Sequence, residues 1–202
     1  AMMTAFGAKK DLNVLGVTCV AGNVPLNLTS VNALKICELS GFFGVPVFRG
    51  SPAPLKRKLI TAEHVHGKTG LDGTDLSVKK KELEPTDAVD FIIECTEKYR
   101  DEKITICALG PLTNIAKVLK KDSVLTESIE EIVLMGGGFF EGGNITPAAE
   151  FNIYVDPEAA KIVLESGLKI TMLPLDVTHK TLVQRNFLEK LRKSGKNSAI
   201  QA

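Results

Sequence analysis

Residues 103–120 read KITICALGPLTNIAKVLK, and this stretch decides the fold class. Lys103–Leu109 is short, apolar and rich in β-branched residues, which predicts a buried strand. Gly110-Pro111 breaks it. Pro111 then suits the first turn of a helix that runs through Lys120, because its ring presets φ where no backbone N–H is needed. The same strand–turn–helix unit recurs on both sides. Upstream, Leu12–Val20 (LNVLGVTCV) reads as a buried parallel strand. Pro25–Leu39 places Leu28, Val31, Leu34, Ile36 and Leu39 near helical spacing, with Gly41 as its stop. Val45–Phe48 predicts a short strand, and Thr86–Tyr99 an amphipathic helix with acids early, where the helix dipole favours them. Downstream, Glu131–Met135 is a strand that runs into Gly136-Gly137-Gly138. Asp156 and Pro157 fit N-cap and first position of a helix through Glu165, which Gly167 ends. Leu168–Val177 predicts a further strand and Thr181–Lys193 a basic amphipathic helix. Repeated alternation of this kind predicts an open α/β fold, a mostly parallel sheet with helices on both faces. Residues 51–83, with prolines early and lysines late, read as a long loop with little regular structure, which in a compact domain is functional or mobile.

The bulk properties exclude several classes. A chain of 202 residues fits one domain and buries roughly 70% of its unfolded surface, so it needs no staples. Hydrophobic residues make up 44% and charged residues 24%, and the net charge is +1, which argues against nucleic acid or an acidic membrane surface as partner. No run of about 18 apolar residues predicts a membrane helix, and no basic start with a long apolar run predicts a secretory signal. Cys19, Cys37, Cys95 and Cys107 form no C-x-x-C pair and lie in apolar strand-like or helix-like runs. They read as buried free thiols of a cytoplasmic protein.

In parallel α/β sheets ligands sit beyond the carboxyl ends of the strands. Asn23 follows the first strand, Leu109 ends the third, Met135 ends the fourth and Asp176 lies near the end of the fifth, which points to a single site. Glu150-Phe151-Asn152 with Asn144 offers a carboxylate and two carboxamides, the donors and acceptors that sugar hydroxyls need; the same residues are also common loop caps. The glycine run permits close backbone approach, or a plain bend. Asn23 is a helix cap or a site residue. His64 and His66 lack partners at zinc spacing; His66 is a pocket-lining residue on the loop or a solvated histidine. The Leu109 carbonyl suits a hard cation only with carboxylates nearby. Asp176 reads as structural, of the N-cap type found at strand-to-helix turns. The cations Lys180, Arg185, Lys190, Arg192, Lys193 and Lys196 form a solvated helix face.

Taken in order, VAGN (20–23), HVHGKTGLDG (64–73), ALGPLTNIA (108–116), VLMGGG (133–138) and AEFNIYVDPEAA (149–160) resemble the inosine/uridine-preferring nucleoside hydrolases. The resemblance spans roughly residues 10–180. It implies an open Rossmann-like fold and cleavage of the N-glycosidic bond of ribonucleosides to ribose and free base. It also implies a Ca²⁺ ion that grips the ribose 2′ and 3′ hydroxyls, and a dimer or tetramer. Carried onto this chain, Asn23, Asn144, Glu150 and Asn152 hold ribose hydroxyls. Phe151 lines the site with them, Met135 packs beside the sugar, the Leu109 carbonyl is one Ca²⁺ ligand, and His66 lies near the base. The family pattern also has an N-terminal D-x-D-x-G-x-D-D run, which supplies most Ca²⁺ carboxylates and the general base, and a downstream His-Asp pair. Neither stands in these residues. The expectation is therefore a single nucleoside hydrolase domain over 1–202, incomplete at both ends, lacking its first strand and C-terminal part. Its strand Leu12–Val20 would be left with an unpaired edge, and its activity would be weak or absent. The alternative is a non-catalytic remnant that keeps a ribose pocket.

Overall fold

Two three-stranded parallel sheets carry the fold of the computed structural model, which describes residues 1–73, 76, 78, 80–121 and 123–194. In the first, β1 (Val17–Thr18), β2 (Val47–Arg49) and β3 (Glu84–Asp87) lie in that order. Val17 pairs with Val47 and Thr18 with Phe48; Phe48 pairs with Glu84 and Arg49 with Asp87 across an irregular register. Helices cover both faces. Val47 turns toward helix α1 (Met2–Gly7) and helix α2 (Leu26–Leu39), where Phe6, Ala33, Leu34 and Cys37 close a core. The next residue points the other way, as strand alternation requires, and Phe48 stacks at 3.8 Å on Phe91 of α4 (Ala88–Lys98). Helix α3 (Glu63–His66) lies between β2 and β3 in the chain.

In the second sheet, β4 (Ile104–Ala108), β5 (Ile129–Met135) and β6 (Ile170–Leu173) pair in that order. Ile106 sits opposite Ile132 and Ala108 opposite Leu134, so these side chains share one face. Against that face pack α5 (Thr113–Lys121) and α7 (Pro157–Leu164), and Ile132, Leu134, Ala116, Ala159 and Val163 are all but fully buried. A short 3-10 turn (Ser123–Ser128) leads into β5, and α6 (Phe151–Val155) precedes α7. Helices α8 (Leu175–Thr178) and α9 (Arg185–Ser194) follow β6.

Side chains tie the two sheets together. Asn114, at the start of α5, accepts from Ser51 N–H at 2.8 Å and donates to the Cys19 carbonyl at 2.9 Å. A Cβ at Gly50 would run into that carboxamide and the same carbonyl, so only glycine fits there. Asp156 is wholly buried and accepts from Leu55 N–H at 2.9 Å, the Thr113 hydroxyl at 2.7 Å and Ala159 N–H at 3.0 Å. It caps α7, as the sequence predicts, and also pins the chain after β2.

Several expectations need correction. The strand expected over Leu12–Val20 is two residues long and Leu12 is exposed, because the three-residue β2 offers no longer partner. Among the described residues β1 pairs with β2 alone. The helix expected from Thr86 begins at Ala88; Thr86 and Asp87 belong to β3, and Asp87 caps the helix through Val89 N–H. Residues 51–83 hold α3, and positions 74, 75, 77 and 79 of that stretch lie outside the described residues. The strand expected over Leu168–Val177 stops at Leu173, because Pro174 ends the ladder and opens α8. Cys19, Cys37 and Cys95 are buried free thiols, but Cys107 is exposed. It lies on the second face of its sheet with Thr105, Thr171 and Leu173, which are also exposed. Lys196 lies outside the described residues; around the other cations, Phe187 and Leu188 of α9 are exposed as well. Among the described residues no helix is long and apolar enough to cross a membrane.

Candidate active site

Eight residues read from the sequence as site candidates, Asn23, His66, Leu109, Met135, Asn144, Glu150, Phe151 and Asn152, line one cavity of about 260 Å³, whereas Asp176, the fourth of the strand-end residues, is not in its lining. It lies where the chain leaves the carboxyl ends of β1, β4 and β5, the end at which parallel sheets bind ligands. Glu150, Phe151 and Asn152 are buried and form its floor, whereas Asn23, Asn144, His66 and Leu109 are exposed at its rim. Sequence reading missed Ala62, His64, Val65 and Ile145, which complete the wall. Ala62 and Ile145 belong to a small apolar cluster with Phe151 and Val155; nothing in a lone alanine or isoleucine announces such a place. A larger cavity of about 400 Å³ sits at the opposite, amino-terminal end of the first sheet, where Lys9, Lys10, Asp11 and Asn13 line it beside the apolar Phe6, Val14, Phe42 and Val45.

Local structure aims the floor. Glu150 is the N-cap of α6, and its Oε2 accepts from Ile153 N–H at 3.2 Å and from Gly137 N–H at 3.2 Å. Among the described residues Oε1 takes no hydrogen bond, and it is not sealed off, so a carboxylate oxygen of a residue only 3% exposed opens into the cavity. The capping role and the site role therefore fall on different oxygens of one group. Asn152 Nδ2 donates to the Met135 carbonyl at 3.1 Å and contacts the Met135 sulfur at 3.3 Å, which fixes both side chains and leaves Oδ1 to a ligand. Asn144 Oδ1 accepts from Phe151 N–H at 2.8 Å, leaving its amide hydrogens to the cavity side.

The rim is held by backbone. Ala62 N–H donates to the Asn23 carbonyl at 2.8 Å, which joins the turn after β1 to α3 and its two histidines. Asn23 does not cap α2; Pro25 stands at that position without a side-chain cap. Asp176 does not cap α8 either, where Pro174 is the N-cap. Its carboxylate instead accepts from Phe139 N–H at 2.7 Å and Phe140 N–H at 2.8 Å, and these two bonds hold it below the usual aspartate range.

A parallel α/β fold with a carboxylate and carboxamides gathered at the strand ends offers hydrogen-bond partners to a polyhydroxylated ligand. The chain belongs to the inosine-uridine preferring nucleoside hydrolase family, whose pattern it matches over residues 1–202. It is 50% identical over 173 residues to an uncharacterized protein of Schizosaccharomyces pombe, covering 86% of this chain and 56% of that one. It is 47% identical over 186 residues to the pyrimidine-specific ribonucleoside hydrolase RihA of Photobacterium profundum, covering 92% of this chain and 59% of the relative. The solved structure of a purine-preferring ribonucleoside hydrolase from Gardnerella vaginalis superposes with a TM-score of 0.91 at 34% identity, over 99% of this chain and 65% of that one. The chain thus spans a little over half the length of the relatives it matches.

The resemblance implies calcium. Ca²⁺ takes roughly 6–8 oxygen ligands, carboxylates prominent among them. Among the described residues no three His, Cys, Asp or Glu side chains come together in a metal-binding group. The cavity offers Glu150, the Leu109 carbonyl and carboxamide oxygens, and Glu150 Oε2 and Asn144 Oδ1 are already engaged. These donors do not make a calcium site within the described residues.

Proposed function

We propose that the protein acts on ribonucleosides, breaking the N-glycosidic bond to give ribose and free base, and that this chain supplies the side of the site that holds the sugar. The observation that carries the reading is the unbonded Glu150 Oε1 on the floor of a cavity ringed by Asn23, Asn144 and Asn152. A carboxylate oxygen accepts from a ribose hydroxyl, and the carboxamides both donate and accept, so vicinal hydroxyls are matched. Cleavage of a glycosidic bond passes through an oxocarbenium-like state. A carboxylate held in a largely dry floor stabilises that positive charge more than it would in water. Met135 gives the sugar an apolar wall, and His64 and His66 stand at the rim on the side open to a base. The relatives' names divide between pyrimidine-specific and purine-preferring, so the proposal names a ribonucleoside and no base. A cytoplasmic homo-dimer or tetramer completes the proposal, and light scattering tests the assembly.

A second reading, a ribose-binding protein without turnover, is favoured by the lack of a calcium donor set among the described residues. Two measurements on the 202-residue chain separate the outcomes. Calorimetric titration with uridine and inosine is expected to give saturable binding, weakened roughly tenfold by Glu150→Gln, the loss expected of one charge-assisted hydrogen bond. Equal affinity in the variant would overturn the sugar-holding role. Chromatographic assay of base release, with and without added calcium, is expected to stay at background for this chain. Turnover abolished by Glu150→Gln would decide for the enzyme and against the binding-only reading.

A further inference from the structure

The loop Gly136–Asn144 begins beside Met135 and ends on Asn144, two residues of the cavity wall, yet its tip buries almost nothing. Phe139 and Phe140 are 79% and 89% exposed, and they touch each other edge-on at 4.8 Å. Hydrophobic burial therefore does not hold the tip in place. Polar bonds from α8 do. Asp176 receives two consecutive backbone N–H groups, one on each oxygen, at 2.7 and 2.8 Å. The neighbouring Leu175 N–H donates to the Gly137 carbonyl at 2.9 Å, and Gly136 N–H reaches the Leu173 carbonyl at 3.3 Å. Gly137 has φ +77°, and a Cβ at Gly138 would collide with the Gly142 carbonyl, so the loop has one tight path that only glycines follow. The far ends of that path meet the cavity floor: Gly137 N–H binds Glu150 Oε2, and Asn144 Oδ1 binds Phe151 N–H.

We infer that Asp176 is a positioning residue for the cavity: by clamping Phe139 and Phe140 it fixes the loop that presents Gly137 N–H to Glu150 and Asn144 to the rim. The inference rests on reading the cavity as the ribosyl site. The clamp turns Glu150 Oε2 inward to the backbone and so leaves Oε1 for the sugar. His179 of the residue turn after α8 contacts Glu141 at 3.3 Å across the same pair of elements, but both side chains are about half exposed, and this tie is secondary. The two backbone amides of Phe139 and Phe140 are the leading influences on the Asp176 carboxylate.

The test is amide hydrogen exchange on the unliganded 202-residue chain and its Asp176→Asn, Asp176→Ala and His179→Ala variants. Asp176→Ala is expected to speed exchange at Phe139 and Phe140 by roughly tenfold or more, as opening of a local hydrogen-bonded unit does. The same variant should also speed exchange at Gly137 and Phe151 while leaving Ile132 and Leu134 in β5 unchanged. Asp176→Asn keeps one acceptor oxygen and should fall between wild type and Asp176→Ala, and His179→Ala should lie near wild type. Faster exchange confined to Phe139 and Phe140 would overturn the inference, since Asp176 would then be a local cap. A rise spread evenly over β5 would overturn it too, making Asp176 a scaffold residue; Asp176→Asn serves if the alanine variant does not fold. Because no ligand is present, the outcome is independent of the ribosyl reading. Coupling to Gly137 and Phe151 alongside failed uridine titration would sink that reading and leave the clamp standing.

Discussion

The two sheets are held by different means. Strands β4–β6 run five, seven and four residues, paired in even steps after a single shift between Ile104 and Thr105, over one apolar face that α5 and α7 cover. Strands β1–β3 run two, three and four residues, with an irregular register, and the chain around them is held by buried side chains that bond to backbone. Backbone pairing carries the second half; Asn114 and Asp156 carry much of the first. The cavity lies across the boundary. Asn23, Ala62 and the histidines come from the first half, and Leu109, Met135 and Asn144–Asn152 from the second. The joints between the halves therefore set the geometry of the site as well as stability.

The comparison breaks most sharply at Asp156. Replacing it by alanine strands Leu55 N–H, Ala159 N–H and the Thr113 hydroxyl in the interior. The expected cost is about 4 kcal/mol, or roughly 8–16 °C in Tm, read by calorimetry. Asn114→Leu comes next. It deletes two buried bonds between the halves and should cost about 2–3 kcal/mol by urea unfolding. If the halves are as unequal as described, exchange at Ala21 and Cys19 rises before exchange at Ile132 and Leu134; equal rises at both would contradict the comparison. Thiol labelling sharpens it further. Cys107 should react with a thiol reagent within the mixing time at neutral pH, while Cys19, whose thiol burial pushes from 9.0 to about 11, should react only on unfolding. Since the folded Cys19 thiol stays neutral above the pH at which the unfolded thiol ionises, the stability it contributes is whole below pH 9 and lost as pH rises toward about 11. Four thiols reacting at one rate would contradict this. The smallest effect belongs to Arg57→Ala. Its guanidinium meets Glu158 at 3.0 Å on the surface, and Tm should stay within about 1 °C of wild type.

Much of this was legible in the sequence, for physical reasons that can be named. The strand ending at Met135, read from Glu131, and the helices α2, α4, α5 and α7 announce themselves through apolar periodicity, and α7 also through its cap Asp156. The eight residues singled out share a cavity because strand ends and polar side chains coincide in the chain; the roles given to them are those of the proposal. What was hidden lacked a local signal. Strand β3 reads EPTD, with a proline and two acids, and becomes a strand only because β2 offers it an edge. Leu12–Val20 has the composition of a long strand but finds a partner for two residues. Asp176 looks like a helix cap from its neighbours, and its real partners lie 36 and 37 positions away. Cys107 sits in an apolar run, and only the register with Val133 and Thr171 places it on the open face.

The central claim is that the cavity floor holds a ribosyl unit through Glu150. Saturation-transfer difference NMR of uridine, inosine and free ribose with the 202-residue chain tests it most directly. The account predicts that ribose protons receive the largest transfer in all three ligands and that Glu150→Gln removes it. Transfer confined to base protons, or ribose signals unchanged in the variant, would contradict it.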